Sequence, residues 1–325
     1  MKNYILTLCL FVTGGLMAQT NQQFANIGSL TTTSGEVIND CKVGYRTVGK
    51  LNAEKTNVVL WTTWFTGTSG QVTDFGMLNN TMDTTGLYVV IIDALTNGVS
   101  SSPSNTSEFP KISIRDMVNS QYKLLSEHLE IDHLKAVMGI SMGGMQAFEW
   151  IIAYPEFMDK MISIVGTPRQ SAYDKLVWGS MAGIMNSADS KEELNEAYQN
   201  AYKIQLLNMY TPEFIAESYG AEGLNDYLNQ FPTSLAPEDY LGGITAMQSH
   251  DIYGSSKNLS EINATIKPDL LIIVAKEDHL VNPISSIKLA KDIKAKLVVL
   301  STNCGHMAPF CESEKIKQEI MPFLF

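Results

Sequence analysis

The chain is predicted to be an α/β protein: a mostly parallel sheet flanked by helices, with a helical lid inserted late in the sheet. Three observations carry this. Six short apolar runs rich in Val and Ile punctuate the sequence, helical stretches alternate with them, and one long segment near residues 171–263 breaks the alternation without supplying a convincing strand.

The strand runs are 57–62, 87–93, 135–140, 160–165, 269–274 and 296–300. Such continuous apolar runs are buried on both faces, as parallel strands covered by helices are. Between them the spacing predicts helices over 113–129, with Ile114, Met117, Leu124 and Leu125 on one face, and over 142–153, 284–293 and 312–323. Strand and helix in alternation indicate an α/β sheet. Within the interrupting segment, 191–207 and 211–219 read as helices. Helices inserted there are expected to cover the C-terminal edge of the strands, where open α/β sheets bind ligands. No internal repeat and no long linker divides the chain.

Residues 1–18 are read apart from the fold. Lys2 precedes an apolar run over 4–17 that ends at the small residue Ala18 and is followed by polar Gln19 to Gln22. A basic start, an apolar stretch of about 14 residues and a small residue at its end describe a secretory signal peptide, and the run is shorter than the ~20 residues a spanning helix needs. The expectation is cleavage after Ala18, export to a periplasmic or extracellular location, and no stable membrane insertion afterwards.

Of the 325 residues, 45% are hydrophobic and 18% charged, enough for a large core and incompatible with disorder. The balance of 23 Lys+Arg against 34 Asp+Glu gives a net charge of −11. No basic stripe exists for a nucleic acid to displace counterions from, so nucleic-acid binding is excluded. The only arginines are Arg46, Arg115 and Arg169, and residues 171–260 hold four lysines, no arginine and twelve acids. Beyond the signal segment three cysteines remain, Cys41, Cys304 and Cys311. Cys304 and Cys311 could close a local bridge, but small buried thiols are the expectation. No Cys/His cluster has metal-ligand spacing, and no cofactor is called for.

The chemistry concentrates at Gly139-Ile140-Ser141-Met142-Gly143, a G-x-S-x-G motif lying between a strand and a helix. The motif works only in that context, where a strained turn lifts the serine Oγ clear of the backbone and the helix N-terminus faces the site. Ser141 is therefore the candidate nucleophile. Among the five histidines, His306 follows the last strand and is the candidate base, while His128 and His133 suit solvated positions on or after a helix. Asp278 follows the strand 269–274 and completes the order Ser, Asp, His expected of α/β-hydrolases; Glu277, one residue earlier, is its competitor. The backbone N–H groups of Phe65 and Met142 are the candidate oxyanion donors. On this reading the core comprises residues 19–170 and 264–325, and the lid 171–263. The lid aromatics Trp178, Tyr198, Tyr202, Tyr210 and Phe214 serve either an acyl pocket or, more simply, core packing.

The segment Gly-Ile-Ser-Met-Gly-Gly-Met-Gln-Ala-Phe-Glu-Trp at 139–150 resembles the nucleophile segment of the homoserine O-acetyltransferase family, a branch of the α/β-hydrolase superfamily. Blocks at 45–52 (Tyr-Arg-Thr-Val-Gly-Lys-Leu-Asn), 114–118 (Ile-Arg-Asp-Met-Val) and 250–252 (His-Asp-Ile) agree with it. The resemblance implies that Ser141 takes an acyl group and passes it on, with Asp278 and His306 completing a triad, and it raises a homodimer through the lid as an assembly. The chain departs from the family at Thr63, where a His is usual, at 99–103, at Met307, where an Asp is common, and near Ser234-Leu235-Ala236, where an Arg-Phe-Asp run is usual. Homoserine is a zwitterion that needs charged partners, and the lid, with a surplus of eight acids, has no arginine to clamp the phosphates of acetyl-CoA. The expected activity is therefore an exported hydrolase of a small ester or acyl compound. An acyl-CoA-dependent O-acetyltransferase of homoserine or another small hydroxyl acceptor is the alternative, and a non-catalytic binding protein on the same fold is the second.

Overall fold

The computed structural model describes residues 21–219, 223–228, 235–254 and 259–325. Residues 1–18, where a signal peptide is expected, and Ser234 lie outside the described residues. Among the described residues ten strands form in chain order: β1 (Gln23–Asn26), β2 (Leu30–Thr31), β3 (Val37–Ile38), β4 (Lys42–Gly49), β5 (Val58–Thr62), β6 (Tyr88–Ile92), β7 (Leu134–Ile140), β8 (Met158–Ile164), β9 (Asp269–Ala275) and β10 (Lys296–Leu300). Eight of them make one sheet in the order β1-β4-β6-β5-β7-β8-β9-β10, and β2 and β3 pair separately. From β6 to β10 every pairing is parallel; β4 runs antiparallel to β6, and β1 antiparallel to β4.

The six strands expected from apolar runs all form. In β5 each residue is buried, and alternate side chains enter different cores: Val58 and Leu60 one, Val59 and Trp61 the other. Burial on both faces makes three layers, helix on sheet on helix. The order reverses about β5, whose neighbours β6 and β7 lie on opposite sides of it. Such a switch point opens a crevice at the carboxyl ends of the strands.

Local chemistry sets the helix starts. Ser113 and Asp116 form a capping box at the head of Ile114–Lys123, and the Asp116 carboxylate also accepts the Thr33 N–H at 2.7 Å. Ser171 and Asp174 repeat the box at the head of Ala172–Asn186. Between β8 and β9 the chain forms helices Ala172–Asn186, Lys191–Met209, Pro212–Tyr219, Leu224–Leu228, Pro237–Gln248 and Leu259–Thr265. No helix among the described residues is long and apolar enough to cross a membrane.

The cysteine expectation is corrected. Cys304 and Cys311 form a disulfide, and among the described residues Cys41 is the free, buried thiol, its pKa pushed up to about 11 by burial. Gly305 at φ 57°, the 3-10 turn Gly305–Met307 and the short helix Ala308–Cys311 fold this segment back on itself. The two Cα atoms come to 6.6 Å, within disulfide reach.

Candidate active site

The site grows from the end of β7. Ser141 follows Ile140 directly and holds φ 58° and ψ −120°, a strained conformation for a side chain with a Cβ. Neighbours hold it there: its N–H donates to the Ile164 carbonyl of β8 at 2.8 Å, and its carbonyl accepts from Met145 N–H at 3.0 Å. The flanking glycines are required by close approach. A Cβ on Gly139 would strike the Gly143 backbone and Thr62 Oγ1, and one on Gly143 would strike the Thr62 carbonyl. Thr62 Oγ1 fills that gap, donating to Gly143 O at 2.8 Å. The helix Met142–Ala153 begins at the next residue, so the Met142 N–H has no intrahelical acceptor and the positive end of the helix lies beside Ser141.

Two further loops converge on Ser141. After β9 the chain turns through Lys276 and Glu277 to Asp278, whose Oδ1 accepts the N–H groups of Leu280 (2.9 Å) and Val281 (2.8 Å). Its Oδ2 accepts from His306 Nδ1 at 2.7 Å. His306 sits in the turn after β10, and its Nε2 lies 2.8 Å from Ser141 Oγ. With a proton on Nδ1 held by the carboxylate, Nε2 is the acceptor for the serine hydroxyl. All three residues are buried. The competitor Glu277 turns away and braces the neighbouring loop, accepting from Ser301 Oγ (3.0 Å) and Thr302 N–H (3.1 Å).

The remaining histidines stand elsewhere. His128 and His279 are exposed, and His133 contacts Asp159 at 2.9 Å. His250 is buried against the Thr167 carbonyl at 2.9 Å, with its other ring nitrogen 3.5 Å from Glu149, too long for a good hydrogen bond. Burial would raise the Glu149 carboxyl, but His250 and Arg115, the latter at 2.7 Å, outweigh it and hold the pKa below the ordinary value. Arg169 pairs with Asp251 at 2.6 Å. The blocks at 114–118 and 250–252 thus join the inserted segment to the helix that follows Ser141.

Ser141 and His306 open on a cavity of about 250 Å³. Phe65 reaches it from the loop after β5; Trp178, Tyr202, Gln205 and Met209 reach it from the inserted helices; Met307 and Phe310 close another wall. The Phe65 ring meets Trp178 edge-on at 5.9 Å and lies 4.8 Å from Tyr240, so the insertion packs directly on the candidate oxyanion loop. Of the five lid aromatics, Trp178 and Tyr202 line the cavity, Tyr198 packs against Tyr240, and Tyr210 stacks on Phe214. Apart from His306, no ionisable His, Asp, Glu, Lys or Arg is among the described residues lining it. Gln205 and Met209 carried no sequence signal, since neither belongs to a motif. Among the described residues, no group of His, Cys, Asp and Glu could hold a metal ion.

A strand, a serine at a strained turn, a helix, then Asp and His from later loops define the class, and the comparisons agree. Residues 65–312 match the family of the alpha/beta hydrolase fold, and the chain belongs to it. Within that family it is similar to an ethyl acetate hydrolase of Pseudomonas veronii, 34% identical over 47% of this chain and 46% of the relative, so the match spans about half of that relative's length. It is also similar to a homoserine O-acetyltransferase of Haemophilus influenzae strain 86-028NP, 28% identical over 80% of this chain and 84% of the relative. Among solved structures, an esterase superposes with TM-score 0.80 and 26% identity, covering 94% of this chain and 100% of the other.

Proposed function

We propose that the protein is an exported serine hydrolase of small, neutral esters that works through an acyl-enzyme on Ser141. One observation carries this reading: the hydrogen-bonded file Asp278, His306 and Ser141 opens on a mainly apolar cavity with no Asp, Glu, Lys or Arg among the described residues that line it.

His306 Nε2 takes the Ser141 proton as Oγ attacks the ester carbonyl carbon, and Asp278 stabilises the resulting imidazolium. The carbonyl oxygen becomes an oxyanion facing the backbone N–H groups of Phe65 and Met142; each such donor is worth about 3 to 4 kcal/mol in the transition state. The tetrahedral species collapses, the alcohol leaves with the proton from His306, and the acyl group stays on Ser141. Water, deprotonated by the same imidazole, then adds to the acyl carbon, Ser141 recovers the proton and the carboxylic acid departs. The inserted helices, Ala172–Asn186, Lys191–Met209 and Pro237–Gln248 among them, act as the lid that excludes bulk water.

Transfer from acyl-CoA to a hydroxyl acceptor is the second reading, favoured by the similarity to homoserine O-acetyltransferase over most of both chains. Charge weighs against it. Arg115 and Arg169 are tied to Glu149 and Asp251, and neither lines the cavity to meet a phosphate or a homoserine carboxylate. The Cys304–Cys311 disulfide supports export, because disulfides persist in oxidising compartments. Incubating the protein with p-nitrophenyl acetate, or with acetyl-CoA with and without homoserine, separates the readings. Hydrolysis of the ester with no acceptor-dependent release of CoA is expected; CoA release accelerated by homoserine would favour the transferase.

A further inference from the structure

One polar side chain in the cavity wall has no part in the reaction described above. Gln205, on the helix Lys191–Met209, lies among Trp178, Tyr202 and Met209 and is only 7% exposed. Its carboxamide is anchored at one end: Oε1 accepts from the Tyr240 hydroxyl at 2.6 Å. At the other end Nε2 points to the Met209 thioether at 3.9 Å. A thioether is a weak acceptor, and 3.9 Å is at the long end of an N–H···S contact. Tyr240 fixes the orientation. It is fully buried, with Phe65 and Tyr198 rings 4.8 Å and 4.6 Å from its own. Burial keeps the phenol protonated, so it donates to Oε1 and leaves the NH₂ group on the side of Met209, itself a residue of the cavity wall. A buried amide donor left this poorly paired is costly unless a ligand completes it.

We propose that Gln205 is a specificity-determining residue whose NH₂ group donates to a neutral oxygen of the substrate, a hydroxyl or carbonyl set apart from the scissile ester, so that the preferred substrates are oxygenated short-chain esters rather than hydrocarbon ones. This rests on the esterase reading. Among the described residues the wall holds no Asp, Glu, Lys or Arg, which suits a neutral acceptor and not a carboxylate or phosphate. The oxygen can belong to the acyl or to the alcohol part of the ester, and two matched pairs distinguish them: methyl 3-hydroxybutyrate against methyl 3-methylbutyrate, and 2-hydroxyethyl acetate against propyl acetate.

The measurement is kcat/KM for all four by pH-stat, in wild type, Gln205→Leu and Tyr240→Phe. In one pair the wild type is expected to favour the oxygenated ester about tenfold, the size of one buried neutral hydrogen bond. In Gln205→Leu that ratio falls to about one, through loss on the oxygenated member, and in Tyr240→Phe, which keeps the ring but releases the carboxamide, it falls part of the way. A purely structural role would lower both members together and leave the ratio standing. Turnover of all four esters with ratios near one in the wild type, or a ratio that survives in Gln205→Leu, overturns the assignment; should Gln205→Leu not fold, the wild-type and Tyr240→Phe ratios decide it. A wild type that hydrolyses none of the four overturns the esterase reading and this assignment with it.

Discussion

Replacing Asp278 by Asn puts a single atom in the wrong place. The carboxylate does two jobs, with Oδ1 accepting from the Leu280 and Val281 amides and Oδ2 from His306 Nδ1. An asparagine has one oxygen. The two backbone N–H groups are fixed donors and claim it, which leaves the new NH₂ facing Nδ1. Two donors cannot share that 2.7 Å separation, so the ring takes the tautomer with its hydrogen on Nε2, aimed at Ser141 Oγ. A histidine in that state cannot remove the serine proton. The expected loss in kcat is about 10⁴-fold, roughly 5.5 kcal/mol of transition-state stabilisation. The assay is p-nitrophenyl acetate hydrolysis at saturating ester, with a thermal melt to show that the variant is folded. Glu277→Gln is the internal control: its amide oxygen can still accept the Thr302 N–H, and activity is expected within about threefold of wild type. A folded Asp278→Asn protein that keeps more than about a hundredth of the wild-type kcat, or a larger loss in Glu277→Gln, would refute the assignment of the acid.

Reducing the Cys304–Cys311 bridge, or replacing both residues by Ser, is expected to cost about 2 kcal/mol in chemical denaturation, as a short closed loop predicts, and to lower activity because His306 lies inside the loop. Glu149→Gln is expected to destabilise the fold by about 2 kcal/mol near neutral pH, since Arg115 loses its ion-pair partner but keeps some solvent. The sign of its pH dependence follows from the depressed pKa. The unfolded carboxyl protonates first as pH falls through its ordinary value near 4.5, so wild-type stability drops from there downward, and the variant should show a shallower acid limb in denaturant midpoints against pH. Gly143→Ala forces a methyl group against the Thr62 carbonyl, and a melt should record a loss of about 3 kcal/mol together with near-complete loss of esterase activity; retention of both would contradict the close approach.

How far the sequence reveals this arrangement depends on which signal each element carries. β5 to β9 are legible because strands covered on both faces must be apolar along most of their length, and Val58–Thr62 is buried throughout, whereas β10 lies at the sheet edge with only Leu300 buried and is legible from its apolar run alone. β4 escapes the same test, since Lys42–Gly49 includes Lys, Gly, Arg and Thr, and its pairing with β6 is antiparallel. β1 is four residues at a sheet edge, too short and too polar to stand out. The helices Ser69–Asp74 and Met77–Thr81 are likewise too short to show a period. The candidate triad is legible because chain order and loop position constrain it; adjacent Asp278 and Glu277 are told apart only by their partners, His306 for one and the loop at 301–302 for the other. The disulfide was not legible, because a spacing of seven fits a bridge or two thiols equally well until the turn at Gly305 is known. Gln205 was hidden for a different reason: one amide on a long helix acquires meaning only through the Tyr240 anchor and the cavity beside it.

The central claim, that Ser141 is a nucleophile activated by His306 and Asp278, is tested most directly by covalent labelling. Treatment of the folded protein with a fluorophosphonate, followed by intact-mass and peptide mass spectrometry, should give one adduct on Ser141, none in Ser141→Ala, and much slower labelling in Asp278→Asn. Wild-type protein that melts cooperatively yet takes no label, or carries it on another residue, would contradict the account.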